Sequence, residues 1–398
     1  MSYALVEVDI LRSLEPVQLS DTDSGVALIV RRGGRPVGFV MEPCTPGTLM
    51  SVDDIDALAG RAAADILHEA LLDELGRPAL GPGPSITVAI CTHGRPELVR
   101  RCLTHLVARS EGIEILVVDN APPDDLTARE VSRFPDARYV REPLPGLDFA
   151  RNRALAEATS EVVAFLDDDV VVEDGWLAGL REAWAMHPDA GAVTGLVLPY
   201  ALRTEAQVLF ELYGGFRRGF RMIRYQGPVL RGNPLFPYGA GMFGAGCNMS
   251  VRRQLALGLG GFDEALDTGA PLPGGGDLDM FHRVLRSGTP LVYAPAAAVR
   301  HEHRTERVAL RRQLYTWGTG HMAYVAKTYQ RDPEGRSVLR RLVAWQLRRQ
   351  TREAVDGLLG RGPLPRDLAI AQLHGSLVGL MGGYRRSVRR TTALRGTT

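Results

Sequence analysis

The chain is 398 residues long, 45% hydrophobic and 23% charged, with a formal net charge of +1. That length is generous for one domain and suits a catalytic domain with additions at one or both ends, and the composition is that of a globular protein with a sizeable core. The near-neutral balance gives no global electrostatic reason to expect nucleic acid as a partner, and four widely spaced cysteines with no CxxC pair suggest neither a zinc cluster nor a disulfide framework, in keeping with a reducing cytoplasm.

The opening "MSYALVEVDILRSLEP" has acidic residues where a signal peptide needs basic ones. No uninterrupted apolar run approaches the roughly 18 residues of a membrane span, so any membrane contact is expected to be peripheral. Residues 1–80 read as a small α/β domain. Its strands are "ALVEVDI", "VALIVRR" and "PVGFVME", the last two joined through Gly33 and Gly34 as a tight hairpin. A helix follows from Ser51 to about Leu75, with Ser51 as N-cap and an acidic first turn. The Gly- and Pro-rich "GRPALGPGPS", residues 76–85, reads as a linker.

Residues 81–305 alternate apolar runs with helical segments: "ITVAICT", a helix near 96–109, "IEILVVDN", a helix near 124–133, "ARYVRE", a helix near 147–159, and "EVVAFLDDD". Strands that read as nearly continuous Val, Ile and Leu are buried on both faces, and their alternation with helices implies a mostly parallel, doubly wound sheet. Ligands of such sheets sit in the crevice beyond the carboxyl ends of the strands. Residues 306–398 read as helical and basic; from 331 onward fourteen Arg face five Asp or Glu. In "LRRLVAWQLRR", Leu339, Leu342, Val343 and Leu347 share a face and the arginines take most of the other. This predicts a core-facing helix with a solvated charged face, with peripheral contact to anionic lipid or to a phosphate-bearing acceptor as the alternative.

Three strand ends finish in polar residues: Thr92, His93 and Arg95; Asp119 and Asn120; and Asp167, Asp168 and Asp169. Parallel neighbours bring these ends to one edge of the sheet, so the groups should converge on one crevice. Three adjacent carboxylates at the exit of a buried strand repel one another unless a cation or hydrogen-bond donors offset them. Oxygen ligands suit Mg2+ or Mn2+, and Mg2+ is typically held by one or two carboxylates together with substrate phosphates. The expectation is a divalent cation completed by a diphosphate.

Further motifs follow in order: "GLDFARNRAL", "AGCNMSVRR", "GGFDE", "GGGDLDMFHR" and "RHEHR". With "CTHGRPE", "VVDN" and "FLDDD" as an Asp-x-Asp motif, the stretch from about 85 to 305 resembles glycosyltransferase family 2, the inverting sugar-nucleotide transferases of GT-A fold. The resemblance implies a GT-A catalytic domain, Rossmann-like with a mostly parallel sheet, flanked by the small N-terminal α/β domain and the helical C-terminal extension. It implies that Thr92, Arg95 and Asp119 lie against the base and ribose of a nucleotide-sugar donor, with UDP the commonest family choice. Asn152 would help shape that pocket. Asp167 and Asp168 would contact ribose or a metal-bound water, and Asp169 would coordinate the cation. His301 matches a further metal ligand of some members, with His303 the alternative. Asp277 would be the general base, with Asp279 the backup; family members usually carry Glu where this chain has Gly276.

The acceptor implied is a glycan, a lipid-linked glycan or a small molecule, and residues 1–80 are open to a role in oligomerisation or acceptor presentation. A sugar-nucleotide pyrophosphorylase would be expected to open with a Gly-rich phosphate loop containing Arg and Lys, which "CTHGRPELVRR" does not supply. A catalytically inactive donor-binding scaffold is the non-enzymatic alternative. "GAGMFG", Gly239 to Gly244, lacks the strand and helix that a dinucleotide-binding loop needs, and Trp176 and Trp317 read as packing residues before sugar platforms.

Overall fold

Strands made almost wholly of aliphatic and β-branched residues have no solvent-tolerant face, so they collect in the middle of the molecule. The computed structural model describes residues 1–76, 81, 83–109, 112–266, 269, 272–362 and 364–396; half of the expected linker at 76–85 lies outside them. Among the described residues nine strands form one sheet, in the order Val170–Val172, Leu291–His301, Ala192–Pro199, Asn248–Arg252, Val162–Asp167, Ile86–Thr92, Glu114–Asn120 and Ala137–Glu142, with Ile223–Tyr225 added to Leu291–His301. The last four strands of that order run parallel. Asn248–Arg252 is inserted antiparallel between Val162–Asp167 and Ala192–Pro199.

Successive side chains of a strand point to opposite faces, and two hydrophobic cores result from the same strands. Ala89, Leu116, Val118, Val163 and Phe165 face one core, while Val88, Ile90, Ile115, Val117, Ala164 and Leu166 face the other. The helices Pro96–Val107 and Trp176–Met186 cover the second core; Leu147–Glu157, Gly276–Arg286 and three C-terminal helices cover the first. Val162–Asp167 ends at Asp167, and Asp168 and Asp169 make the turn into Val170–Val172. Val170 pairs with His301 in antiparallel register. A polar turn at a strand end thereby acquires a histidine from a residue more than 130 positions away.

The N-terminal unit has Gly33 and Gly34 at positive φ of 57° and 82° in its hairpin. Its strand Ala4–Asp9 pairs parallel with Gly25–Arg32, which pairs antiparallel with Arg35–Pro43. The unit is docked on the central sheet: Ile29, Leu5 and Phe39 pack with Leu196, Leu198 and Ala298, and Arg31 meets Glu173 at 2.6 Å. After Glu306 come helices Arg307–Arg331, Arg336–Leu358, Arg366–Val378 and Tyr384–Arg395. Leu339 and Leu342 are buried while Arg340, Arg341, Arg348 and Arg352 are exposed, so the basic helix is a core-facing one. Among the described residues no helix is long and apolar enough to cross a membrane.

Candidate active site at the strand ends

The first loop and the aspartate turn meet directly. Thr92 donates its hydroxyl to Asp168 Oδ2 at 2.7 Å, and Arg95 Nη1 reaches Asp168 Oδ1 at 3.1 Å. Burial pushes the Asp168 carboxyl upward, against the neighbouring Arg95 guanidinium and the Thr92 hydrogen bond. Asp119 is wholly buried, and both oxygens are engaged: Gly94 N–H donates to Oδ1 at 3.2 Å and the Tyr139 hydroxyl to Oδ2 at 3.1 Å. It therefore organises the 92–95 loop. Asn120 does the same for the next loop, donating to Leu144 O and accepting from Gly146 N, each at 2.7 Å.

Arg151, on helix Leu147–Glu157, is buried among three carboxylates. Its Nη1 lies 3.1 Å from Asp148 Oδ1 and its Nη2 lies 3.9 Å from Asp167 Oδ1. A Cβ on Gly246 would fall 2.8 Å from Arg151 Nη2 and 3.0 Å from Asp277 Oδ2, so these groups crowd the same backbone. Asp277 accepts from Gly246 N–H at 3.0 Å. Asp167 keeps 33% of its side-chain surface accessible, as befits the crevice floor. Burial nevertheless raises its carboxyl to about 6, against the pull of Arg151.

Gly276 opens the helix that carries Asp277, and the reason for glycine is spatial. A Cβ there would lie 1.8 Å from Asp148 Oδ2, so a carboxylate from helix Leu147–Glu157 occupies the volume a side chain at 276 would need. Gly276→Ala must displace Asp148 from its pairing with buried Arg151, and urea denaturation is expected to show a loss of about 1–3 kcal/mol. A variant as stable as the parent would show that Asp148 gives way freely.

Asp169 and His301 form the part of the site with unspent capacity. His301 Nε2 lies 3.3 Å from Asp169 Oδ1, both side chains are buried, and Oδ1 has no hydrogen-bond partner among the described residues. Burial, reinforced by His303, pushes His301 down to about 3, so the ring is neutral near pH 7. Burial pushes the Asp169 carboxyl upward. A buried orphan oxygen is costly. Two cis ligands bonded to an octahedral cation at about 2.1 Å lie about 3 Å apart, so the spacing fits a divalent ion. Among the described residues no group of three His, Cys, Asp or Glu side chains is placed to hold a metal ion.

Residues 87–248 match the family model described as Glycosyl transferase family 2. The likeness to glycosyltransferase family 2 rests on that stretch of the chain. It is 28% identical over 266 residues to the pre-mycofactocin glycosyltransferase of Mycobacterium tuberculosis, covering 65% of this chain and 51% of that protein. It is 27% identical over 252 residues to the succinoglycan biosynthesis protein ExoM of Rhizobium meliloti, covering 61% and 75%. The chain thus spans about half the length of the first of these relatives. A mannosyltransferase of Pyrobaculum calidifontis, solved with GDP-Man and Mn2+, superposes with a TM-score of 0.47 at 19% identity, covering 82% of this chain and 94% of that one.

Asn152 donates to Phe262 O at 2.9 Å and Glu264 Oε1 at 2.7 Å, and accepts from Phe262 N–H at 2.7 Å, tying its helix to the "GGFDE" loop. Asp279 is held by Arg283 Nε and Lys327 Nζ, each at 2.6 Å, and is buried, so it has little freedom to act as a base. Trp176 is buried with its Nε1–H on Asn248 Oδ1 at 3.1 Å, and Trp317 packs against Phe210 and Phe216. "GAGMFG" holds a short 3-10 turn, Ala240–Met242, with no nucleotide-loop geometry. A cleft of about 1010 Å³ beside the N-terminal unit, lined by Arg12, Arg109 and Arg300 among others, includes none of the site residues.

Sequence reasoning passed over Asp148, Arg151 and Glu211. The first two were within reach, since "GLDFARNR" places a carboxylate and a guanidinium three residues apart on one helix face. Glu211 carries no such signal, because its partner His303 is 92 positions away.

Proposed function

We propose that this chain is a glycosyltransferase that moves a sugar from a nucleoside-diphosphate sugar to an acceptor hydroxyl by single displacement with inversion, assisted by a divalent cation, Mn2+ or Mg2+. The observation that carries the reading is the Asp169–His301 pair, two buried acceptors 3.3 Å apart at the C-terminal ends of the strands. A cation held there would stabilise, as a Lewis acid, the negative charge left on the departing diphosphate. Arg95 and Thr92 hold Asp168 at the donor side of the crevice. Asp277, half-buried at the opening of its helix and fixed by Gly246 N–H, has the remaining acceptor capacity to take a proton from the attacking hydroxyl. Arg151 lies between the two halves, close to Asp167 on one side and Asp277 on the other, and its charge limits repulsion among the carboxylates.

A thermal-shift panel of UDP, GDP and dTDP and their sugars, with and without Mn2+, tests this reading, UDP being the first nucleotide to try. At a ligand concentration of about 100 times Kd the expected gain is about 2.7 kcal/mol. Asp169→Ala is expected to lose the Mn2+-dependent part of the gain and to keep the part given by nucleotide alone. Proton NMR of the product's anomeric configuration checks inversion. Failure of every nucleoside diphosphate and nucleotide sugar to shift the melting curve would sink the reading, and binding without turnover would leave a donor-binding scaffold.

A further inference from the structure

His301 does not stand alone behind its free nitrogen. Its Nδ1 lies 3.1 Å from Nδ1 of His303, whose Nε2 lies 2.7 Å from Glu211 Oε1. All three side chains are buried, Phe210 packs 4.5 Å from the His303 ring, and Phe216 packs 4.9 Å from the His301 ring. Glu211 is also paired with Arg217, which favours its ionised form. With Arg217 already meeting the Glu211 carboxylate, a second cation on buried His303 would lack a partner of its own, so its ring is neutral.

Neutral imidazole has one N–H and one lone pair, and from this the orientation of the chain follows. A carboxylate can only accept, so His303 Nε2 must carry the hydrogen and His303 Nδ1 the lone pair. His301 Nδ1 must then donate to His303 Nδ1, which leaves the lone pair of His301 on Nε2, facing Asp169 Oδ1. The opposite tautomers would set a lone pair against a carboxylate 2.7 Å away in a site without water access.

We infer that Glu211 and His303 are positioning residues that lock His301 in its Nδ1–H tautomer and so aim its Nε2 lone pair at a divalent-cation site shared with Asp169. The inference rests on the cation reading given above. Outer partners that orient a ligating histidine typically change metal affinity by about 10–100-fold when removed.

Three versions of the full-length chain are compared by Mn2+ titration monitored by electron paramagnetic resonance, with saturating UDP: wild type, His303→Leu and His303→Asn. His303→Leu is expected to bind Mn2+ about 10–100-fold more weakly. His303→Asn, whose amide oxygen can accept from His301 Nδ1–H, is expected to recover most of the affinity. UDP binding without metal should be equal in all three, which separates lost positioning from lost folding. In metal-free protein, 15N NMR of the histidine rings should find His301 protonated on Nδ1 in wild type and in His303→Asn. A wild-type His301 protonated on Nε2, or Mn2+ affinity in His303→Leu within twofold of wild type, overturns the inference. If wild type binds no Mn2+, the cation reading fails with the metal-aiming role, and the ring 15N shifts show whether the tautomer lock survives as a structural device.

Discussion

Asp277→Asn is expected to lower kcat for sugar transfer by roughly 10²–10⁴-fold, the range that a positioned general base supplies, while the affinities for nucleotide and Mn2+ stay near those of the parent. Asp277 is the first-turn carboxylate of helix Gly276–Arg286 that combines partial exposure with a fixed orientation, set by Gly246 N–H at 3.0 Å and Leu278 N–H at 2.9 Å. Each of its oxygens accepts one hydrogen bond from the backbone, and a carboxylate oxygen can accept a second, which is the site for the acceptor's proton. The asparagine amide has nearly the same shape and cannot take that proton. Steady-state kinetics with a transferable sugar, beside a nucleotide titration, makes the check. More than a third of parental turnover in Asp277→Asn would remove Asp277 from the role.

The largest loss of stability is expected at Lys327, the only lysine of the chain. Its Nζ is buried 2.6 Å from both Asp263 Oδ2 and Asp279 Oδ1, joining the helix Arg307–Arg331 to the "GGFDE" loop and to the helix that carries Asp277. Lys327→Met fits the stem and removes the charge. Breaking a buried ion pair by deleting one partner costs about 3–5 kcal/mol, because the remaining charge stays buried without compensation.

The pH dependence follows from Asp263. Burial alone would raise its carboxyl, but Lys327 and the Tyr384 hydroxyl hold it below the ordinary value. A depressed carboxyl contributes stability above the unfolded pKa of about 4, lost as pH falls through the folded value. In Lys327→Met burial dominates and the sign reverses, so the variant regains stability as acid protonates the carboxyl. Urea denaturation at pH 7 and pH 5 should show the deficit shrinking on acidification. A variant within about 1 kcal/mol of the parent at pH 7 would show that the triad is not what docks the C-terminal helices.

Much of the site was legible because it lies at strand ends, where local pattern and topology agree. "ITVAICT", "EILVVDN" and "VVAFLD" read as buried strands, and parallel pairing then brings Thr92, Asp119 and Asp167 to one edge. The departure at Gly276 was visible as a departure, but not its cause, since Asp148 enters that volume from a helix about 130 residues earlier. A polar residue inside a motif has no direction in one dimension, so only the approach of Phe262 and Glu264 shows that the Asn152 amide joins two segments.

By itself the sequence determined which residues are buried strand, where each strand stops, and that three carboxylates stand together at one of those stops, because alternation, β-branching and charge act over a few residues. Tertiary structure alone decided which carboxylates are already satisfied and which are not. Asp119, Asp168 and Asp279 have their bonds from Gly94, Tyr139, Thr92, Arg95, Arg283 and Lys327, whereas Asp169 Oδ1 has none among the described residues and faces His301. The physical reason is that the chemistry of a buried polar group depends on partners a few ångströms away in space, and those partners are supplied by packing from distant parts of the chain.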